Sequence, residues 1–423
     1  MGRFLETEGN VHFVIFVSCQ TNKIKEELEM KTNYDKLLEK IRETGMDYKW
    51  SRMFVKKLRD DEVAFPVSDE EKKKWALERG FYPGRIELYG LTDKNYMNYM
   101  PDYQYFMLHP INNHFLKWLD KTTLKYVLNS NGCEDAMPEY YVYVENEQCG
   151  GRFTYLMDCP EDIPKDKNFL LNLLRRKKIL AMKPNSGTSG GLGFIKLEMR
   201  NDGIYENNRL IDEIRFEEIR DTMKNYIITE YCHQHHDLAR IWPDSECTLR
   251  VIMCKDPTDD KYASTTWSCA VCYARFGTSI NGGASNLSSG GVGIGFDFKT
   301  GKYNDYCIRY KRFTRDGIWM LNKHPDTKEE WRERVLPNWA FVRRQIDMIC
   351  RHISSLDYLG LDIIITENGM KLCEINSHPA MDYEQVMCGP TLSHPKIKAF
   401  FEQKGLRQFD SREFYRAYVE SQE

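Results

Sequence analysis

The eleven residues Lys183-Pro-Asn-Ser-Gly-Thr-Ser-Gly-Gly-Leu-Gly193 constrain this chain more than any other stretch. They follow the apolar run Ile179-Leu-Ala-Met182 and precede Gly193-Phe-Ile-Lys-Leu-Glu198. Two short apolar runs around a glycine- and serine-rich loop predict an antiparallel strand pair with a long, pliable connection. A lysine at the end of the first strand has a fixed position. Small residues after it let backbone N–H groups come close to an anion such as a triphosphate. Turn chemistry alone also accounts for such a loop, so its meaning depends on what the rest of the chain brings to it.

The rest of the chain predicts mixed α and β structure. Glu26-Glu-Leu-Glu-Met30 and Tyr34-Asp-Lys-Leu-Leu-Glu-Lys-Ile41 carry helical periodicity, and residues from about 21 to 85 read as amphipathic helices. Val11-His-Phe-Val-Ile-Phe-Val17 is too short to span a bilayer and reads as a strand. Phe115 to Leu128 has helical spacing with Asp120-Lys121 in its middle, and Tyr140–Val144 reads as a strand. Helices are expected at Phe169–Lys178, Ile211–Asn225 and Pro337–Leu356. Strands are expected at Tyr226–Glu230, Thr248–Cys254, Thr265–Phe276 and Gly293–Asp297, and a hairpin at Leu361–Ile375. Strands and helices without strict βαβ alternation argue for an α+β fold. Length, at 423 residues, favours more than one lobe. The segments expected are a mainly helical region over 1–114, lobes over 115–229 and 230–400, and a helical tail over 401–423.

Composition narrows the partners. A net charge of −3 supplies no global basic field for nucleic acid or an anionic membrane. Lys72-Lys-Lys-Trp75 suits peripheral membrane contact or an acidic substrate, but reads better as a solvated helix face. Thirteen cysteines without a repeating framework and no secretory leader favour free thiols in the cytoplasm. Cys269-Ala-Val-Cys272 has redox spacing but lies within an apolar strand, where buried thiols are expected. In Cys232-His-Gln-His-His-Asp237, no second ligand pair has zinc spacing, so the segment reads as a polar connector. Walker-type, dinucleotide and protein-kinase fingerprints are missing. Oligomeric state is left open.

Asp362, Glu374 and Asn376 form the strongest constellation. Magnesium takes hard oxygen ligands, commonly one or two carboxylates plus phosphate. Glu374 and Asn376 are two apart on a strand and share a face. Asp362 joins them only if it pairs with Glu374. A two-residue Asn368-Gly369 turn would pair Asp362 with Ile375 instead. A three-residue loop, Glu367-Asn368-Gly369, restores the pairing and is the one expected.

Taken in order, Asp120-Lys121, Lys183-Pro with its loop, Glu230-Tyr-Cys232, Asp237, Arg250, Asn286 with Gly290-Gly291, Asp362, and Glu374-Ile-Asn376 resemble the motif series of ATP-grasp enzymes. The resemblance covers about residues 115–385. Tyr89-Gly-Leu-Thr-Asp-Lys-Asn-Tyr96 and Trp118-Leu-Asp-Lys-Thr-Thr-Leu-Lys-Tyr126 are similar to the sugar-transfer-associated, teichuronopeptide-synthesis branch. This implies an ATP-grasp fold, two α+β lobes clasping ATP. It implies Lys121, Lys183, Ser186, Ser189, Gly190 and Gly191 at the phosphates, with backbone at Glu230 and Cys232 at adenine and Asp237 at ribose. Mg2+ would sit on Asp362, Glu374 and Asn376, with Arg250, Arg275 and Asn286 around the transferred group. D-alanine ligase-like relatives place an arginine two residues before the first metal aspartate. Gly360 stands there in this chain, so the role is assigned to Arg275. The implied reaction is ligation of a small-molecule or saccharide carboxylate to an amine through an acyl phosphate. The alternatives are phosphoryl transfer to a hydroxyl and nucleotide binding without turnover.

Overall fold

A computed structural model describes residues 33–112, 120–129, 132–146, 151–186, 193–280, 285–314, 319–353, 355–407 and 411–423. The expected strand at Val11–Val17 lies outside the described residues, as do Gly187 to Leu192 of the loop. The chain divides into two compact units, one of Met1–His109 with Gly405–Glu423 and one of Pro110–Lys404. The C-terminal tail therefore belongs to the same unit as the N-terminal helices.

That first unit is helical, with helices Tyr48–Ala64, Glu70–Glu78, Asp102–Met107 and Arg412–Gln422. Phe54 is fully buried and packs edge-on against Phe414, centroids 5.0 Å apart. Arg85 lies buried between Asp61 at 3.1 Å and Asp102 at 3.0 Å. Burial pushes the Asp61 carboxyl up to about 7, against the pull of Arg85. On the helix Glu70–Glu78, Trp75 is tied through Nε1 to Asp93 at 2.8 Å.

The second unit holds two seven-stranded antiparallel sheets. The first contains β1 (Tyr140–Val144), β2 (Phe153–Tyr155), β3 (Ile179–Pro184), β4 (Ile195–Arg200), β5 (Gly203–Glu206), β6 (Arg209–Ile211) and β7 (Tyr226–Glu230). They are ordered β2-β1-β7-β3-β4-β5-β6. Leu180 and Met182 enter a core capped by the helices Phe169–Lys177 and Glu213–Thr222 through Leu173, Leu174, Phe216 and Ile219. Alternation along β3 leaves Ala181 and Lys183 on the opposite face. The second helix starts where Asp212 caps the Arg215 N–H at 2.8 Å, two residues later than its periodicity suggests.

The second sheet contains β8 (Thr248–Lys255), β9 (Trp267–Phe276), β10 (Val292–Phe296), β11 (Tyr303–Ile308), β12 (Met320–Leu321), β13 (Tyr358–Thr366) and β14 (Gly369–Asn376). They are ordered β12-β11-β10-β9-β8-β13-β14. Leu249, Val251, Ala274, Leu361, Ile363, Ile365 and Leu372 supply one face to a core shared with Val342, Ile346 and Ile349 of the helix Trp339–His352. Each such aliphatic side chain contributes about 1.5–3 kcal/mol by burial. Cys272 is buried there as a free thiol.

The β13–β14 hairpin differs from expectation in one instructive way. Thr366 pairs with Gly369, so only Glu367 and Asn368 form the turn, and the three-residue loop is not what the chain adopts. Asp362 nevertheless pairs with Glu374, because a register shift between Asp362 and Ile363 leaves Cys373 as an extra residue. The correction that a longer loop would have made is made by a β-bulge on this edge strand.

Candidate functional site

Four strands of the second sheet set one row of side chains. Glu374 pairs with Asp362, Asp362 with Arg250, and Arg250 with Tyr273. Partners directly opposite in an antiparallel sheet share a face, so the row stands on the side away from the apolar core. Arg275 lies two residues beyond Tyr273 on that same face and pairs with Thr248.

Asp362 is the centre of this row. Arg250 holds it through two hydrogen bonds, Nε to Oδ1 and Nη2 to Oδ2, the second at 3.0 Å. Arg275 adds an ion pair from Nη2 to Oδ2 at 3.0 Å. Burial works to raise the Asp362 carboxyl, but the two guanidinium groups outweigh it and bring it down to about 2. Burial likewise opposes the charge of Arg250, and Asp362 more than offsets it. Two cations around one buried anion leave a net positive patch suited to carboxylate or phosphoryl oxygens.

Gly360 fits into the same picture. A Cβ there would come within 2.7 Å of Pro379 and 3.4 Å of Arg250 Cδ. No arginine can occupy position 360 without moving that proline. The Arg250 side chain from β8 runs past this spot, and its guanidinium and that of Arg275 from β9 both converge on Asp362.

Lys121 reaches this row from the other sheet's side. Residues 115–119 of the expected helix lie outside the described residues, and Lys121 is the first residue of the helix that is described. The described helix spans Lys121–Leu128, and Asp120 precedes it as the N-cap, accepting the Thr123 N–H at 2.7 Å. An aspartate that binds the free N–H groups of a first turn favours a start over a continuation. The Lys121 ammonium donates to the carbonyls of Pro184 at 3.2 Å and Asn185 at 3.4 Å, and sits 3.5 Å from Glu374 Oε2. Burial pushes it below its ordinary value. Glu374 opposes this, and the neighbouring Lys183 charge adds to it. Lys121 and Lys183 therefore share one neighbourhood with Glu374, at the mouth of the glycine-rich loop.

Asn185 joins these parts and was not singled out from sequence. Its side-chain oxygen accepts the Thr122 N–H at 3.2 Å, while its own N–H donates to Asn225 at 2.8 Å. The Lys-Pro-Asn order was visible, but its contact with residues sixty positions earlier was not. Cys373 was missed as well. Burial pushes its thiol up to about 11, Lys183 acts against that, and the Asp362 and Glu374 charges add to it.

Glu374 is partly exposed, and Asn376 Nδ2 lies 3.5 Å from its Oε1. These two residues present oxygen donors that fit a hard divalent cation. Arginine engages both Asp362 oxygens: Oδ2 takes contacts from Arg250 and Arg275, while Oδ1 takes one from Arg250 and keeps a further lone pair.

The remaining candidates spread outward. Ser186 is exposed, and Ser189, Gly190 and Gly191 lie outside the described residues. The Asn286 carbonyl accepts the N–H groups of Ser289 and Gly291, at 3.2 and 3.1 Å. Its neighbour Ser285 meets Thr248 at 2.9 Å, which stands opposite Arg275. The Glu230 carboxylate accepts the Glu139 N–H at 3.1 Å and lies 3.9 Å from Lys371. Cys232 is buried, and burial raises its thiol strongly. Glu230, Tyr231 and Cys232 line a cavity of about 660 Å³ with Gly369, Met370 and Lys371 opposite. Lys121, Lys183 and Glu374 are not among its walls. Asp237 stands in the short helix His236–Ala239, with its carboxylate toward His235 and His236.

Residues 104–399, well over half of the chain, match the family described as sugar-transfer associated ATP-grasp. The chain belongs to that family. Its ATP-grasp fold is preceded by a helical N-terminal region. A search of curated proteins finds no match for this ATP-grasp chain. Solved structures similar to it include the ATP-grasp ligase PsnB in complex with a precursor variant, Mg and ADP. That likeness has 10% identity, covers 67% of this chain and 58% of PsnB, and has a TM-score of 0.32. D-alanine–D-alanine ligase from Bacillus anthracis gives 13%, 72%, 68% and 0.32. N5-carboxyaminoimidazole ribonucleotide synthetase from Thermotoga maritima gives 11%, 61%, 41% and 0.28. The chain thus spans less than two thirds of the first and third of these proteins. Among the described residues of this ATP-grasp chain, no helix is long and apolar enough to cross a membrane.

Proposed function

We propose that this chain is a magnesium-dependent carboxylate–amine ligase that consumes ATP and acts on a carboxylate belonging to a cell-surface saccharide or its precursor. The observation that carries the reading is the meeting of Lys121 with Glu374, 3.5 Å apart, beside the Arg250–Asp362–Arg275 cluster. It joins cations for a polyphosphate, oxygen donors for a metal and guanidinium groups for a carboxylate. A cytoplasmic setting accords with the free cysteines.

In this reading Lys121 and Lys183 bind phosphate oxygens, and the loop through Ser186, Ser189, Gly190 and Gly191 closes over them. Backbone at Glu230 and Cys232 takes adenine, while the Asp237 carboxylate, expected at the ribose, faces His235 and His236 instead. Glu374 and Asn376 hold the metal, with Asp362 contributing a remaining lone pair. Bound there, magnesium would supply charge neutralisation for phosphoryl transfer. Arg275 holds the substrate carboxylate in line with the terminal phosphate, and Arg250 and Asn286 offset the charge that develops on the phosphoryl oxygens. A carboxylate oxygen forms the new bond to phosphorus while the bond to ADP breaks. The amine nitrogen then bonds to the acyl carbon, phosphate leaves, and the nitrogen loses a proton to solvent. No side chain becomes covalently attached.

A screen of ADP release over acids and amines, with hydroxylamine present, tests this. A ligase forms ADP only with a suitable carboxylate, and hydroxylamine captures the activated acyl group. A stable phosphorylated sugar as sole product, with no amide from any amine, overturns the ligase reading in favour of a hydroxyl kinase.

A further inference from the structure

The segment Cys232-His-Gln-His-His-Asp237 lacks a second ligand pair in its own sequence, but the fold supplies a partner from far away. Glu367, in the β13–β14 turn, lies against both His235 and His236. His235 donates its backbone N–H to Ile365 at 2.7 Å, and His236 donates its own to Glu367 at 2.7 Å. These two contacts fix the connector on the hairpin tip.

The side chains then form a closed ring. His235 turns Nδ1 toward Asp237 Oδ2 at 3.6 Å and Nε2 toward Glu367 Oε2 at 3.6 Å. His236 turns Nε2 toward Asp237 Oδ1 at 3.5 Å and Nδ1 toward Glu367 Oε2 at 3.0 Å. Each imidazole thus shows one nitrogen to Asp237 and the other to Glu367. One ligand atom from each of His235, His236 and Asp237 falls within 4.8 Å of the others.

We propose that His235, His236 and Asp237 form a binding site for zinc or a similar late first-row divalent ion, with Glu367 as the outer carboxylate that orients both histidines. A tetrahedral ion with bonds of about 2.0–2.1 Å sets neighbouring ligand atoms about 3.3 Å apart, close to the two spacings on the Asp237 side. Ligating histidines characteristically donate their other N–H to a carboxylate, which is the place of Glu367. The tautomer of His235 already agrees. Its Nδ1 accepts the Asp237 N–H at 3.1 Å, so that nitrogen carries a lone pair, and the metal takes the place of this contact.

The two rings stack with centroids 4.3 Å apart, which sets both imidazoles side by side between Asp237 and Glu367. Imidazole donors also separate this site from the all-oxygen pair Glu374 and Asn376, since magnesium favours the latter.

The test uses the full chain, stripped with a chelator and titrated with Zn2+ against a chromophoric competitor, then with Co2+ as a spectroscopic probe. The expected result is one equivalent of Zn2+ held at micromolar or tighter affinity in the presence of millimolar Mg2+. Glu367→Gln should weaken it by roughly 10–100-fold, and His236→Ala by at least that much. Both replacements alter exposed side chains, and melting curves confirm that the variants fold. Glu374→Gln should leave zinc affinity unchanged. Unchanged affinity in His236→Ala and Glu367→Gln overturns the proposal, as does loss only in Glu374→Gln or the absence of binding tighter than millimolar.

Discussion

Replacing Asp362 with Asn keeps the shape of the side chain and removes the one anion between two buried guanidinium groups. Asp362 and Arg275 are each less than a tenth exposed, so solvent screens little of the interaction. A carboxyl that titrates at about 2 when folded, against the usual 3.8, contributes about 2 kcal/mol at neutral pH. The amide also points N–H groups at arginine donors, and breaking one side of a buried pair costs about 3–5 kcal/mol. Asp362→Asn should therefore destabilise the protein by about 2–5 kcal/mol, enough to lower the melting temperature by roughly 4 °C or more. The folded value lies below the unfolded one, so this stabilisation is complete above the unfolded value and fades as pH falls through the folded value. The gap between native and variant urea midpoints should be constant at neutral pH and narrow from about pH 4 toward pH 2. Tryptophan fluorescence in urea, read at several pH values for both proteins, measures it. A gap below about 0.5 kcal/mol, typical of a bland surface change, or one that persists unchanged to about pH 2, refutes the reasoning.

Three further outcomes follow from the same geometry. Glu374→Gln should leave the melting temperature of the free protein nearly unchanged but abolish most of the stabilisation by ATP with magnesium and most turnover; a normal ligand-induced shift would remove this carboxylate from the metal site. Asn185→Ala removes the acceptor for the Thr122 N–H and should cost about 1 kcal/mol. The Lys121 ammonium keeps its backbone carbonyls, but the first helical turn that carries it loses its tie to the loop, so the ATP requirement should rise; native ATP dependence in this variant would count against the positioning role. Arg275→Ala leaves Asp362 paired with Arg250, so it should raise the KM for the acid far more than that for ATP; equal increases in both would contradict a carboxylate contact.

How much of this was legible beforehand depended on distance along the chain. β3, β7, β8 and β14 were readable because apolar residues recur at strand spacing. Lys183 was readable because its loop follows it directly. The Asp362–Glu374 pairing was reached from the demands of the metal, though the turn chosen to produce it was wrong, because a bulge has no compositional mark when its extra residue is a cysteine. Asp120 as a cap was hidden by the apolar run on either side of it. The Asp362 clamp could not be found at all. Nothing near Arg250 or Arg275 in sequence announces that two neighbouring strands carry them to one carboxylate more than eighty residues away.

The extra residue at Cys373 divides β14 into two phases. Toward the tip, Lys371 stands opposite Ile364; toward the base, Glu374 stands opposite Asp362. Ile364 and Asp362 alternate regularly on β13, so an odd-numbered lysine and an even-numbered glutamate come to face the same way. In an unbroken strand three residues apart they would oppose each other. The offset lets one short edge strand send a cation to Glu230 in the other sheet and a carboxylate to Lys121. It also foretells how the hairpin would answer a deletion. Excising Cys373 would preserve every cross-strand partner and only relax the local twist, whereas lengthening the turn by one residue would rotate either the tip or the Asp362–Glu374 pair out of place.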